Sequence, residues 1–399
     1  MATLVRTQVG IVGAGPAGLM LAHLLGLSGV ESVIVENRSR EYVERRVRAG
    51  VLEQGTVDLL IATGVGERLK RQGLVHHGVE LCFSGKRHRI DFDALTDGRA
   101  ITIYGQNEVV KDLTENRLAA GGQIFFEASD VVVSGFEGAN PSIQFVKDDE
   151  AHKINCDFIA GCDGFHGICR RTIPSHALRL YERTYPFAWL GILAQTPPSG
   201  KEIIYCRHDR GFALHSMRSP QLSRLYLQCD PSDDLAHWSD ERIWEELGKR
   251  SQTQEGWVLR PGPILQKGIT EMRSFVAEPM RCGSMFLAGD AAHIVPATGA
   301  KGLNLAISDV TVLARALEEH YRAGRRELLE RYSDICLRRA WKVQRFSWWM
   351  TSMLHRFDSD NAFDRRRQLA ELEYVVSSRA ASQSLAENYV GLPPEHPPL

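Results

Sequence analysis

At about 150 residues per domain, a chain of 399 residues predicts roughly two to three structural units rather than one small module. Its 48 basic and 49 acidic residues leave a formal net charge of −1, which excludes a long-range field able to gather nucleic acid or an anionic membrane surface. With 43% apolar and 24% charged residues, the composition is that of a globular chain with material for a large core, not of a disordered one.

The first elements follow a βαβ rhythm: a buried strand over Thr7–Val12, a helix over Pro16–Ser28 and a second strand over Ser32–Glu36. The apolar run from Val9 to Leu27 is interrupted by Gly13, Gly15, Pro16 and Gly18, so it reads as strand, turn and helix rather than as a membrane span or a targeting segment. A basic stretch, Glu41–Arg48, precedes predicted helices over Gln54–Gly64 and Asn107–Ala120. Short strands are predicted over Ile124–Glu127, Val131–Phe136, Ser142–Val146 and His152–Ala160, a meander grafted onto the parallel sheet.

A second sheet is predicted from Phe187–Ala194, Ile203–Arg207, Gly211–Arg218 and Arg224–Cys229. Ser274–Val276 and Met285–Ala288 are read as a return to the first sheet, and helical spacing dominates from Leu303 to about residue 384. The expected fold is α/β: a Rossmann-like domain over 1–180 completed by 270–300, a β-sheet substrate domain over 181–295, and a helical region over 296–399. Phe346–Phe357, with Trp348, Trp349, Met350 and Met353, is apolar on more than one face and reads either as a buried helix or as a subunit interface.

Eight cysteines are scattered without a CxxC pair, a usage that suits a reducing cytosol. Cys162, His166 and Cys169 form one spaced run, but no partner cluster accompanies it and no metal site is expected.

Gly13-Ala14-Gly15-Pro16-Ala17-Gly18 lies between a strand and a helix, with Glu36 ending the next strand. Glycines there permit a tight turn and close approach of a diphosphate to the helix N-terminus, and the acid suits a ribose hydroxyl. Either NAD or FAD satisfies this motif alone. Phe286–His293, a hydrophobic strand ending in Gly289-Asp290, resembles the second FAD fingerprint of flavoprotein monooxygenases, and Cys162-Asp163-Gly164 resembles their Asp-Gly motif shared between FAD and the nicotinamide cofactor.

At finer grain the resemblance runs over essentially the whole chain to the class A flavoprotein hydroxylases of para-hydroxy aromatic acids. It is carried by Arg48–Gly55, Ile159–Gly167, Asp290–Pro296, Thr298–Leu305, Phe346–Thr351 and Ala386–Leu392. The resemblance implies an FAD enzyme that uses NADPH, or also NADH, and O2. Through a flavin C4a-hydroperoxide it would hydroxylate 4-hydroxybenzoate at the 3-position. It further implies a small aromatic acid as partner, a homodimer, and a cytoplasmic location.

Position by position, the resemblance implies Arg218 as the carboxylate-binding residue, with Ser216 and Tyr226 as supporting donors. Arginine suits that task because its planar fork binds a carboxylate bidentately. Tyr205 would take the phenol proton and pass it to Tyr389, with His76 joining that relay to water. Arg46, Arg48, Gln106, Lys301, Gly302, Leu303 and Asn304 would approach FAD beside Gly13, Gly15, Gly18, Glu36, Asp163 and Asp290. Arg38, Tyr42, His166, Arg170 and Arg273 would meet the nicotinamide cofactor.

Two positions depart from the family. Ala297 replaces a second proline beside the substrate oxygen, which keeps 4-aminobenzoate or 3,4-dihydroxybenzoate open as substrates. Asn37 replaces an arginine in the region linked to nicotinamide preference. A non-catalytic FAD-fold binding protein, or a dehydrogenase using the first motif only, are the alternatives from other classes.

Overall fold

The structure, a computed structural model, describes residues 3–46, 50–254, 256–257, 259–357, 359 and 361–393. Strand Val9–Val12 is buried on both faces, as an apolar run in a parallel sheet must be, and pairs in parallel with Ser32–Val35 and Phe158–Gly161. The last of these pairs in parallel with Met285–Leu287, and Ile124–Phe125 and Arg281–Cys282 complete a six-stranded sheet. Helices Pro16–Leu27 and Gly302–Ala323 pack on each other against this sheet, and their apolar faces form its core.

The segment predicted as one strand over His152–Ala160 is two. Glu150–Asn155 joins a four-stranded sheet with Ser142–Lys147, Ser129–Ser134 and Thr3–Arg6, whereas Phe158–Gly161 belongs to the parallel sheet. Cys156 and Asp157 form the break, and the Asp157 amide donates to the Gln8 carbonyl instead of continuing a ladder.

The second sheet has eight strands, ordered 293–294, 264–278, 179–194, 222–229, 213–219, 203–206, 78–83 and 86–91. Ser274–Val276 does not return to the first sheet. It is part of the fifteen-residue strand Ile264–Glu278, paired along its length with the sixteen-residue Arg179–Ala194. Both long strands continue through polar residues at the sheet rim, where alternation loses its apolar signal. Gly78–Phe83 and Lys86–Asp91, drawn from the first quarter of the chain, complete this sheet through a parallel pairing with Ile203–Cys206.

Asp240–Ser251, an unpredicted helix, covers the sheet's outer face with Ile243 and Leu247. Its start was legible, since Ser239 caps it by accepting from the Arg242 amide at 3.3 Å, and Asp240 and Glu241 fill the first turn. Four helices end the described chain: Gly302–Ala323, Glu327–Leu354, Ala362–Ser377 and Arg379–Val390. In the second, Phe346, Met350, Met353 and Leu354 are buried, while Trp341 and Trp348 remain 42% and 45% exposed. Among the described residues no helix is long and apolar enough to cross a membrane.

Buried neutral histidines tie the fold to pH. His355 accepts from Trp189 Nε1 at 2.7 Å, and His215 lies between Ser199 and Ser251; burial pushes both down to about 3. On unfolding each returns to about 6.5, so below that pH the unfolded chain binds more protons and stability falls as pH falls. His293, whose value is raised, loses its contribution only above 6.5 and leaves this window untouched. We expect urea unfolding midpoints to drop steadily from pH 6.5 to 5, with up to about 1.4 kcal/mol per pH unit from each histidine. A flat profile over that range contradicts it.

Candidate active site

At the N-terminus of helix Pro16–Leu27, the turn is set by Gly13, whose φ of 105° and whose place against Cys162 leave no room for a side chain: a Cβ there would sit 2.4 Å from the Cys162 carbonyl oxygen. Gly15 is the contrasting case, because a Cβ on it would meet no protein atom within 4 Å. The space beside Gly15 is therefore open at the helix N-terminus, where free N–H groups favour an anion. Glu36 closes the far side. Its Oε2 accepts from the Ala14 amide at 2.7 Å and its Oε1 from the Arg38 amide at 2.8 Å, which fixes the carboxylate with lone pairs left for a hydroxyl.

The Gly289–Ala291 turn follows strand Met285–Leu287 and presents Asp290 to solvent. It is held from behind by Asp309, whose Oδ2 accepts from the Gly289 amide at 3.0 Å and lies 2.7 Å from His293 Nε2, both side chains being buried. Gly302 and Leu303 open helix Gly302–Ala323, which packs against the Gly289–Ala291 turn and carries its positive end at these residues. Behind it Lys301 is buried in a pair with Glu53 at 2.8 Å and also donates to the Tyr389 carbonyl at 2.8 Å. Asn304 accepts from the Glu53 amide at 2.9 Å and donates to the carbonyls of Val51 and Ala300.

Asp163 Oδ2 accepts from the Cys169 amide at 2.8 Å, while its buried Oδ1 has no partner among the described residues; burial holds this carboxyl above the usual range. Open space at the glycine turn, a fixed acid for a ribose and a buried carboxylate oxygen without a partner among the described residues fit FAD.

The inner face of the eight-stranded sheet carries the second half of the site. Tyr205, Leu214 and Tyr226 are register partners across three strands, and Ser216 pairs with Arg224 one step along. Strand alternation therefore places Tyr205, Tyr226, Ser216 and Arg224 on one face. Tyr205 donates to the Thr298 carbonyl at 3.0 Å and lies 2.5 Å from the Tyr389 hydroxyl, so Tyr389 supplies the proton of that second bond. Burial, reinforced by Tyr389, keeps the Tyr205 phenol well above its ordinary value.

At the other end Arg218 Nη1 donates to the Met217 carbonyl at 3.0 Å, and Arg224 Nε donates to the Tyr226 hydroxyl at 3.3 Å. Burial lowers the Arg218 value, the mark of a cation kept from water. His76 ends strand Leu74–His76 fully buried. Among the described residues neither ring nitrogen has a partner, and burial brings its pKa down to about 4, so it is neutral at pH 7.

Other sequence-predicted residues lie further out. Arg46 is exposed just beyond helix Arg40–Arg45, Gln106 opens helix Gln106–Ala119, and Arg48 lies outside the described residues. Arg38 stands over the Tyr42 ring at 5.3 Å. Arg170 spends its guanidinium on the carbonyls of Ala291 and Phe165, His166 is exposed beside Phe165, and Arg273 pairs with Glu271 at 2.9 Å. Ala297, also exposed, begins the turn that presents the Thr298 carbonyl. Sequence reasoning missed Glu53, Arg224, Thr298 and Asp309. An acid at 309 inside the apolar Leu305–Val310 stretch was the available signal for the last; Thr298 acts through its backbone and leaves none.

A nucleotide cradle beside a buried tyrosine pair defines a flavin-dependent aromatic hydroxylase. Residues 6–347 match the FAD binding domain family. The chain belongs to this family of FAD-dependent aromatic monooxygenases. It is 51% identical over 390 residues to the p-hydroxybenzoate hydroxylase of Acinetobacter baylyi, covering 98% of this chain and 96% of the relative. It is also 25% identical to 3-(3-hydroxy-phenyl)propionate/3-hydroxycinnamic acid hydroxylase 1 of Burkholderia vietnamiensis, over 82% of this chain and 53% of that one. Among solved structures, p-nitrophenol 4-monooxygenase of Pseudomonas putida shares the fold with a TM-score of 0.83 at 18% identity, covering 98% of this chain and 100% of that one.

Proposed function

We propose that this chain hydroxylates 4-hydroxybenzoate at the 3-position, giving 3,4-dihydroxybenzoate, with NADPH and O2 as co-substrates. The observation that carries the reading is the shared sheet face, with a cation-rich end at Ser216, Arg218, Tyr226 and Arg224 and a proton-handling end at Tyr205 and Tyr389. From the level of Tyr205 to Arg218 the strand runs about 13 Å, a span that inward-leaning side chains and one para-substituted benzoate close. Bound FAD supplies the electrons from NADPH and the activated oxygen. Arg218 holds the carboxylate, and Tyr205 accepts from the substrate phenol once its own hydroxyl proton turns from the Thr298 carbonyl to the Tyr389 oxygen, the Tyr389 proton turning outward. The phenol proton moves to Tyr205 and on to Tyr389, and neutral His76 takes it toward water. An ionised phenol is electron-rich at the ortho carbon, where oxygen is to be added. The test is a screen of 4-hydroxybenzoate, 4-aminobenzoate and 3,4-dihydroxybenzoate that follows NADPH and product together. NADPH consumption without hydroxylated 4-hydroxybenzoate sinks the reading.

Glycine 15 provides a separate check on the cofactor. Because its Cβ would meet only open space, Gly15→Ala is expected to fold normally yet bind FAD at least about tenfold more weakly, as a methyl group enters the diphosphate position. Unchanged FAD affinity by fluorescence titration would move the diphosphate elsewhere.

For the nicotinamide, Arg40 is engaged by Glu44 and Glu41 by Arg45, which leaves Arg38 with Tyr42 as the group for a 2′-phosphate. NADPH is expected to be preferred over NADH by about tenfold in kcat/KM, or about 1.4 kcal/mol, and Arg38→Ala to erase the difference. Equal use of both cofactors by the unaltered enzyme contradicts this. The expected division into 1–180 with 270–300, 181–295 and 296–399 needs amendment, because 78–83, 86–91 and 264–278 belong to the substrate sheet and only 281–287 of the returning segment joins the nucleotide sheet. The exposed Trp341 and Trp348 support a homodimer, which sedimentation velocity tests.

A further inference from the structure

Cys206 follows Tyr205 directly, so strand alternation turns it to the opposite face of the sheet, away from the candidate pocket. In register Cys206 pairs with Cys82 across two parallel strands, and Cys82 pairs with Arg87 across the hairpin. Neighbouring strands stand about 5 Å apart, within the range of about 4.4 to 6.8 Å between Cα atoms that a disulfide spans. The two thiols are near enough to perturb each other's proton affinity, and Cys206 is also influenced by the hydroxyl of Ser251, itself 2.6 Å from His215 Nε2.

Arg87 lies with its guanidinium 4.3 Å from the Trp257 ring centroid and 3.4 Å from Glu80. Its buried Nε and Nη2 have no partner among the described residues. The bond from Cys206, helped by the charge of Arg87, holds the Cys82 thiol below its ordinary value, whereas the same bond and burial push Cys206 up. Cys82 is thus the more acidic of the two thiols and Cys206 the one that holds its proton more tightly. Both cysteines are buried, Cys82 3% and Cys206 0% exposed, while the neighbouring Arg87 side chain is 17% exposed and the hairpin tip at Ser84 is open to solvent.

We propose that Cys82 and Cys206 form a peroxide-sensitive dithiol, oxidised to a disulfide that locks strand Gly78–Phe83 to strand Ile203–Cys206. The Cys82 thiolate attacks hydrogen peroxide; an S–O bond forms, the O–O bond breaks and the departing hydroxide takes a proton to become water. The Cys206 sulfur then attacks the Cys82 sulfenic acid; the S–S bond forms, the S–O bond breaks, and the Cys206 proton leaves with the hydroxyl as a second water. Two thiols are oxidised and one peroxide is reduced to two waters. Reduced flavin, if it reacted with O2 without transferring oxygen to substrate, would supply this oxidant. The locked strands carry Tyr205 on one side and follow His76 by two residues on the other.

The test is peroxide treatment of the holoenzyme, alkylation of free thiols, digestion and mass spectrometry. The expected result is a peptide pair joined through Cys82 and Cys206 with the loss of two hydrogens, reversed by dithiothreitol and absent from Cys82→Ala and Cys206→Ala. Oxidation confined to the partly exposed Cys282, a higher oxide on Cys82 without the link, or unmodified protein would overturn the proposal. The unaltered holoenzyme alone decides this, whatever the variants' stability.

Discussion

Tyr205→Phe is expected to bind 4-hydroxybenzoate within about twofold of the unaltered enzyme and to lose at least about tenfold in product formed per NADPH consumed, a loss within the range of a positioned proton-transfer group. The reason is local. Tyr205 is wedged between the Thr298 carbonyl and the Tyr389 hydroxyl, and removing its oxygen leaves Tyr389 without an acceptor and the substrate phenol without an outlet. Packing is conserved, since the ring of Phe fills the same space among Phe212 and Tyr389. Simultaneous measurement of NADPH oxidation and 3,4-dihydroxybenzoate separates proton handling from binding. Full coupling in this variant removes Tyr205 from the relay.

Arg218→Ala should fail differently, by weakening binding with coupling at saturation largely spared. A charge-assisted contact is worth about 1.5 to 3 kcal/mol, which converts to roughly a 10- to 150-fold rise in substrate Kd. Arg218→Lys keeps the charge but loses the fork, and an intermediate loss is expected. A substrate Kd unchanged in both variants would place the carboxylate elsewhere, with Arg224 the next residue to replace.

Legibility followed the range of the interactions. The glycine-rich turn, Glu36 and the Gly289-Asp290 turn were readable because short local spacing sets them, and each lies where a strand meets a turn. Gly78–Phe83 and Lys86–Asp91 were not, because nothing local tells a strand which of two sheets it will join; the parallel pairing with Ile203–Cys206 is decided by residues more than a hundred positions away. The same holds for Glu53, which becomes a site residue only when Lys301 arrives beside it. His76 was identified through resemblance, yet its isolation from every described partner is a property of three-dimensional packing alone.

The Lys301–Glu53 and Tyr205–Tyr389 contacts join positions 248 and 184 residues apart. The entropy cost of closing such spans grows only slowly with their length, so each is held by a few well-placed buried groups. Lys301 bridges both, pairing with Glu53 and reaching the carbonyl of Tyr389 on the final helix. Lys301 directly precedes helix Gly302–Ala323, so the residue that anchors the proton path also sits at the helix end beside the nucleotide cradle. A substitution at this one residue is therefore felt at both, since it removes the buried partner of Glu53 and the donor that holds the Tyr389 carbonyl.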